Sequence, residues 1–278
     1  MALDRDTKAT LDLLRDRTTI HRMQQLLREH GAHFSAAAWE ELVKERIQPA
    51  LEKAQIKQED LVNVLREAEE HGGQHIFLYR TDNPERLINQ SRVRSVLKSR
   101  GIEGIINKPL FVDMPKHPTI VDVRWEGTDK SKSLIVKVVE TRTYERRKQR
   151  PRSGNQIITD VEEFAVRAVN LFRLNPNGLL EMRVEAYTNV SHYDDVVQRM
   201  WDVSGQILPR DSFEEESLAR TELNISKNMQ QLQDEIDYCY LSGRNEKGNR
   251  FQLATGNPKS NLANDPDFIS GINGVYTN

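Results

Sequence analysis

The chain has 278 residues, 37% of them hydrophobic and 29% charged, with a formal net charge of −2. That is enough to bury a core in one large or two modest domains and too apolar for wholesale disorder. The single cysteine, Cys239, excludes an intramolecular disulfide and a multi-cysteine zinc site. No window approaches the roughly 20 apolar residues that span a bilayer, and the first six residues hold no apolar signal core. An intracellular location, cytoplasmic or nuclear, is therefore expected, with no membrane partner.

Residues 1–73 read as a helical module. Leu11, Leu13 and Leu14, then Ile20, Met23, Leu26 and Leu27, form apolar stripes at helical spacing that end near Gly31. Trp39, Leu42, Val43, Ile47 and Leu51 form another, with Ser35 as N-cap and a kink or restart at Pro49. Leu61, Val62, Val64 and Leu65 form the next, opened by Glu59 and Asp60 and stopped by His71-Gly72-Gly73.

The period changes at Gln74–Tyr79, a short strand-type run, and a helix follows over Ser91–Arg100 with Arg92, Arg94 and Lys98 outside its apolar stripe. Thr119–Trp125 and Ser133–Tyr144 read as an antiparallel hairpin. The spacing of Phe164, Ala165, Ala168, Leu171 and Phe172 favours a helix over Val161–Leu174, and Leu179–Tyr187 alternates as a strand. Helices are expected over Asp194–Ser204 and Ser217–Leu241, and residues 242–278 read as a flexible C-terminal tail. The fold class is thus α+β: an N-terminal helical bundle (1–73), a mostly antiparallel sheet with flanking helices and a basic hairpin (74–241), and the tail.

Charge is unevenly distributed. Arg86–Arg152 holds 17 Lys or Arg against 7 Asp or Glu, an excess of 17 − 7 = +10, whereas Asp194–Glu222 holds 8 acids against 3 bases. The peak is Thr141–Gly154, where Arg142, Arg146, Arg147, Lys148, Arg150 and Arg152 face one acid, Glu145, with Tyr144 interleaved. Guanidinium forks suit phosphates, and a ring among them suits a base or sugar. These seven residues, with Arg92, Arg94 and Lys98, are the candidate nucleic-acid contacts. A second reading is an assembly protein whose basic face meets an acidic surface, such as segment 194–222 of another copy.

No catalytic, metal or cofactor site is expected. Glycine-rich phosphate loops and serine or cysteine nucleophile motifs are missing. His71 and His75 are separated by helix-breaking glycines, and His30 and His33 straddle Gly31. A metal nuclease needs an acid on one strand and acid-x-Lys on the next. Asp122 suits the first role and reads as a solvent-facing residue paired with a base, but Ile135 stands where the second acid is needed before Lys137, and Glu140 falls on the opposite face. A helix-turn-helix over residues 36–80 would present Leu61–Glu70 to DNA, with one Arg against three Glu.

The order of a helical module ending in Leu61…His71-Gly72-Gly73-Gln74-His75-Ile76-Phe77-Leu78-Tyr79, a basic helix, and the strands Thr119–Trp125 and Leu134–Tyr144 resembles the kinetochore centromere protein N family over residues 35–150. The resemblance implies a pyrin-like bundle before an α/β domain and binding of nucleosomal DNA through a basic sheet region. The matching positions are Arg94, Lys98, Arg142, Arg146 and Arg147. The chain departs from that family in its acidic last bundle helix and in lacking any marked chromatin-reading loop. Non-catalytic binding of nucleic acid, DNA favoured, is the resulting expectation.

Overall fold

The computed structural model describes residues 3–128, 131–151, 157–186, 193–216, 231, 240–244 and 250–254, with 147–151, 157–160, 240–244 and 250–254 described by backbone alone. The chain divides into two compact units, Met1–Glu215 and Glu216–Asn278. The helical module and the sheet both lie in the first unit. In the second unit, strands Tyr240–Arg244 and Arg250–Ala254 pair antiparallel where a structureless tail is expected from residue 242. The helix expected over Ser217–Leu241 and the rest of that tail lie outside the described residues.

Helices α1 (Arg5–Arg17), α2 (Ile20–Glu29), α3 (Trp39–Leu42), α4 (Gln48–Glu52) and α5 (Gln58–Glu70) enclose a core of Leu14, Met23, Leu27, Leu42, Ile47 and Leu61. Asp4 and Thr19 cap α1 and α2 by accepting from free N–H groups of their first turns. Ser35 does not cap the third stripe. The helix starts at Trp39, and Glu41 reaches back to accept from Ala37 N–H. A π-helical turn, Val43–Ile47, joins α3 to α4 just before Pro49, which sits in the first turn of α4 where a missing N–H costs nothing.

The sheet is antiparallel in the order β2-β3-β4-β5-β1-β6, with β1 Gln74–Arg80, β2 Thr119–Glu126, β3 Ser133–Pro151, β4 Ile157–Leu174, β5 Leu179–Glu185 and β6 Glu214–Glu215. Residues 157–174 are a strand, not the helix expected over Val161–Leu174. Residues 167–172 are buried on both faces, so the alternation that marks a strand is erased and the remaining apolar residues mimic a helical stripe. The turn after β4 needs Gly178, whose φ is +87 and where a Cβ would collide with the Thr81 carbonyl oxygen.

Register assigns the two faces opposite characters. One carries Val123, Val136, Phe172 and Met182 in one row and Leu134, Leu174, Leu180 and Tyr79 in the next. Helices α6 (Pro84–Ile88), α7 (Gln90–Ser99) and α8 (Asp194–Ser204) cover it through Leu87, Val93, Leu97, Val196, Met200 and Trp201. The other face carries Asp122, Lys137, Arg124, Arg167 and Arg183, and the end of α5 closes over part of it. Lys137 Nζ lies 2.6 Å from Glu69 and 3.1 Å from Glu70, Arg124 donates to Glu70 (2.6 Å) and Asp122 (2.9 Å), and Arg167 pairs with Glu69. Arg66 of α5 adds a second cation to Asp122 at 3.0 Å. The would-be recognition helix is thus a packing element: Glu69 and Glu70 face the sheet, and Glu67 pairs with Arg22 of α2.

Burial alone would raise the carboxyls of Glu69 and Glu70, but Lys137 with Arg167 or Arg124 outweighs it and holds both below the usual range. Burial alone would lower the pKa of Arg124, yet Glu70, Asp122 and Glu126 raise it. A carboxyl depressed in the folded state stabilises above its unfolded pKa, about 4.3 for Glu, and that contribution is lost as pH falls through the folded value. Stability to urea is therefore expected to decline on acidification below about pH 4.5. The decline should be shallower in the Glu69→Gln/Glu70→Gln double variant, and an equally steep acid limb would assign it to other carboxyls. At neutral pH, Lys137→Met is expected to cost about 3–5 kcal/mol, because it removes the buried cation that Glu69 and Glu70 share and leaves Arg167 and Arg124 to hold them alone.

Candidate nucleic-acid interface

Strands β3 and β4 are 19 and 18 residues long, against 8 and 7 for their neighbours β2 and β5. Pairing with β2 ends at Val139 and pairing with β5 at Asn170. From Thr143↔Ala165 to Pro151↔Ile157 the two strands pair only with each other. They form a two-stranded arm about 30 Å long at roughly 3.3 Å per residue.

At the base of the arm, polar residues replace the apolar rows. Arg142 is 4% exposed. It donates to Glu140 (2.8 Å), to the Asn170 side chain (2.8 Å) and to the Glu185 carbonyl (2.8 Å), and Asn170 also donates to Glu140 at 3.0 Å. Arg199 of α8 approaches Glu140 at 3.3 Å. Arg142 is therefore not available to a phosphate: it closes the end of the sheet. Sequence position within a basic run hid this, because its partners come from β5, 43 residues away, and from β4, 28 residues away.

Beyond this plug Thr143, Glu145, Arg146 and residues 161–165 are exposed. Tyr144 stacks on Phe164 with ring centroids 5.5 Å apart, and the Arg146 guanidinium lies 5.4 Å from the Phe164 ring centre. Burial raises the Tyr144 hydroxyl pKa despite the opposing pull of Arg142. Phe164 is 38% and Val161 55% exposed. Arg147, Lys148 and Arg150 occupy positions opposite Val161, Asp160 and Ile158. Arg152 lies outside the described residues.

The register alters the electrostatics read from the sequence. Arg146 pairs with Glu162, Lys148 with Asp160, and Glu145 with Glu163. From Thr143 to Ala165 the arm holds five bases (Arg146, Arg147, Lys148, Arg150, Arg152) and four acids (Glu145, Asp160, Glu162, Glu163), a net of 5 − 4 = +1. The basic strand thus lies beside an acidic one.

The helix cations are not gathered to the arm. Arg92 donates to the carbonyls of Leu87 (3.5 Å), Ile207 (2.9 Å) and Gln206 (3.2 Å), and burial followed by the nearby Arg86 lowers its pKa. It tethers α7 to the loop after α8. Arg94 and Lys98 are exposed on α7. The start of α7 lies by Trp125, whose indole donates to Ile88 O (2.8 Å) and which pairs with Leu134. Leu134 is nine residues before Thr143, or about 30 Å along β3.

The nuclease alternative meets a specific obstacle. Asp122 is fully buried, not solvent-facing, and Arg66 and Arg124 share its Oδ2. Arg124 stands between Asp122 and Glu70, where a divalent ion would need to bridge them. Glu140 is on the other face, bonded to Arg142. Of the histidines, His30 meets the Leu26 carbonyl at 3.0 Å, and His75 packs on Tyr193.

Arg142→Ala is expected to destabilise the chain by about 3–5 kcal/mol, since it leaves Glu140 buried beside an unfilled site. Arg146→Ala is expected to stay within about 0.5 kcal/mol. Urea melts of the two variants check this, and equal stabilities would refute the assignment of Arg142 to the interior.

Among the described residues no helix is long and apolar enough to cross a membrane. Compared with known proteins, the chain matches no family model and no curated protein sequence.

Proposed function

We propose that the protein binds nucleic acid, duplex DNA in the first place, without chemistry, through the outer part of the β3–β4 arm. The observation that carries this reading is the arm itself. A two-stranded ribbon runs past both of its neighbours, and its first exposed turn sets Arg146 against the Tyr144–Phe164 stack. A two-stranded ribbon fits a DNA groove. Rings and guanidinium groups together suit sugar and base faces. The contact set narrows to Arg146, Arg147, Lys148, Arg150 and Arg152 with Tyr144, while Arg94 and Lys98 form a separate patch and Arg92 and Arg142 support the fold. The resemblance to the centromere protein N family points the same way. With four acids among five bases, binding is local and modest rather than driven by a broad positive field.

Binding of a fluorescent 20-base-pair duplex is expected to weaken with salt, the log–log slope falling by about one for each cation that reaches a phosphate. Arg146→Ala/Arg147→Ala/Lys148→Ala/Arg150→Ala is expected to abolish it, and Arg94→Ala/Lys98→Ala to leave it within about twofold, the two patches being separate. Undiminished binding by the quadruple variant overturns the reading.

A second reading, assembly, is favoured by one feature: the basic strand of each arm lies beside an acidic one, so two arms can set base against acid. Salt-sensitive self-association in light scattering, without affinity for the duplex, would select it.

A further inference from the structure

The segment linking α7 to β2 borders a furrow along α1. Two adjoining clefts, about 490 and about 200 Å³, share Ala9 and Phe111. The larger is bordered by Arg5 and Lys108 with one acid, Asp6, and the smaller by Asp12, Asp16 and Asp113. Apolar surface lies between these ends: Ile102, Leu110 and Phe111 line the larger cleft, and Leu110 is 48% exposed. Met114, 46% exposed, follows in the same segment.

The furrow's wall is fixed by backbone bonds together with the packing of Phe111 on the helical core. Asn107 N–H donates to the Val123 carbonyl (2.9 Å) and Leu110 N–H to that of Val121 (2.7 Å), which fixes the segment to the outer edge of β2. Arg167 anchors it again by donating to the Val112 carbonyl at 2.9 Å. A preformed apolar trough with fixed ends binds without an ordering cost of its own.

We propose that this furrow docks a short segment of another protein, apolar at its centre, acidic at one end and basic at the other. Charge complementarity names the ends: an acid meets Arg5 and Lys108, and a base meets the three aspartates. From Arg5 to Asp16 the helix rises about 16 Å, the reach of about five extended residues. An isologous contact with a second copy sets concave surface against concave surface and leaves the trough unfilled. A compact ligand is poorly served by a shallow open channel, because small-molecule sites enclose most of their ligand.

The test uses the full chain and four fluorescein-labelled nine-residue peptides with identical leucine centres, except that one has serine there. One peptide is acidic at one end and basic at the other, as is the serine-centred one; the remaining two are acidic or basic at both ends. The polarised leucine peptide is expected to bind at least about tenfold tighter than the rest, the loss expected when an interface anchor or charge match is removed. Leu110→Asp, at an exposed site, is expected to remove that binding with the melting curve unchanged. Asp12→Lys/Asp16→Lys is expected to shift the preference to the doubly acidic peptide. Equal affinity for all four peptides overturns the proposal, as does binding indifferent to Leu110→Asp. A concentration-dependent dimer dispersed by Leu110→Asp overturns it in favour of a second copy.

Discussion

The first unit depends on an ion network that joins the end of α5 to the sheet. Glu69 and Glu70 close onto Lys137, Arg124 and Arg167, and each of these charges is nearly lost to solvent. Such a cluster adds little net stability compared with apolar residues of the same shape. Its effect is on geometry, because a charge buried without its partner is so costly that only one docking of helix on sheet satisfies all of them. That docking sets the rest. Arg167 reaches past Glu69 to the Val112 carbonyl, which pins the segment beside α1. Arg17 in turn ties the end of α1 to Glu185 and to the Arg167 carbonyl.

This network explains why local charge in the sequence misleads. Within the basic zone Arg86–Arg152, Arg92, Arg124, Lys137 and Arg142 are all engaged inside the fold. Several of their partners come from outside that zone: Glu69, Glu70, Asn170, the Glu185 carbonyl and the loop after α8. A local excess of cations over acids is then not an excess at the surface. The same correction applies in the arm, where Asp160, Glu162 and Glu163 arrive from β4 to face the basic strand.

What was legible in the sequence follows from which contacts are local. The helical stripes, α7 and α8 are legible because each buries one face and shows the other to water, β5 because its burial alternates, and the β2–β3 hairpin, buried on both faces, because its β-branched runs flank a turn. Strand β4 reads as a helix because residues 167–172 are buried on both faces, so Ala168, Leu171 and Phe172 lose the alternation that identifies a strand, and Phe164 on the exposed arm falls in helical spacing with them. Asp122 was correctly paired with a base but placed in solvent, since the helix that covers it ends 52 residues earlier in the chain. Arg142 was indistinguishable from Arg146 in the basic run. Four positions along a strand separate a residue against the end of the core from one beyond it, and only the lengths of β2 and β5 decide where that end falls.

Those lengths also argue that the arm has a use beyond its own folding. An isolated two-stranded ribbon is marginal in water, and this one gains support from Tyr144 on Phe164 at its base. Farther out, the register sets Glu145 directly opposite Glu163, and like charges across a pair destabilise it. Val161 stands exposed one pair beyond Arg146. A hairpin shaped for its own stability alone would place a polar residue at 161 rather than the exposed valine. On the proposed reading the outer residues of this ribbon meet a partner that presents phosphates, and the cations that follow Arg146 are its contacts.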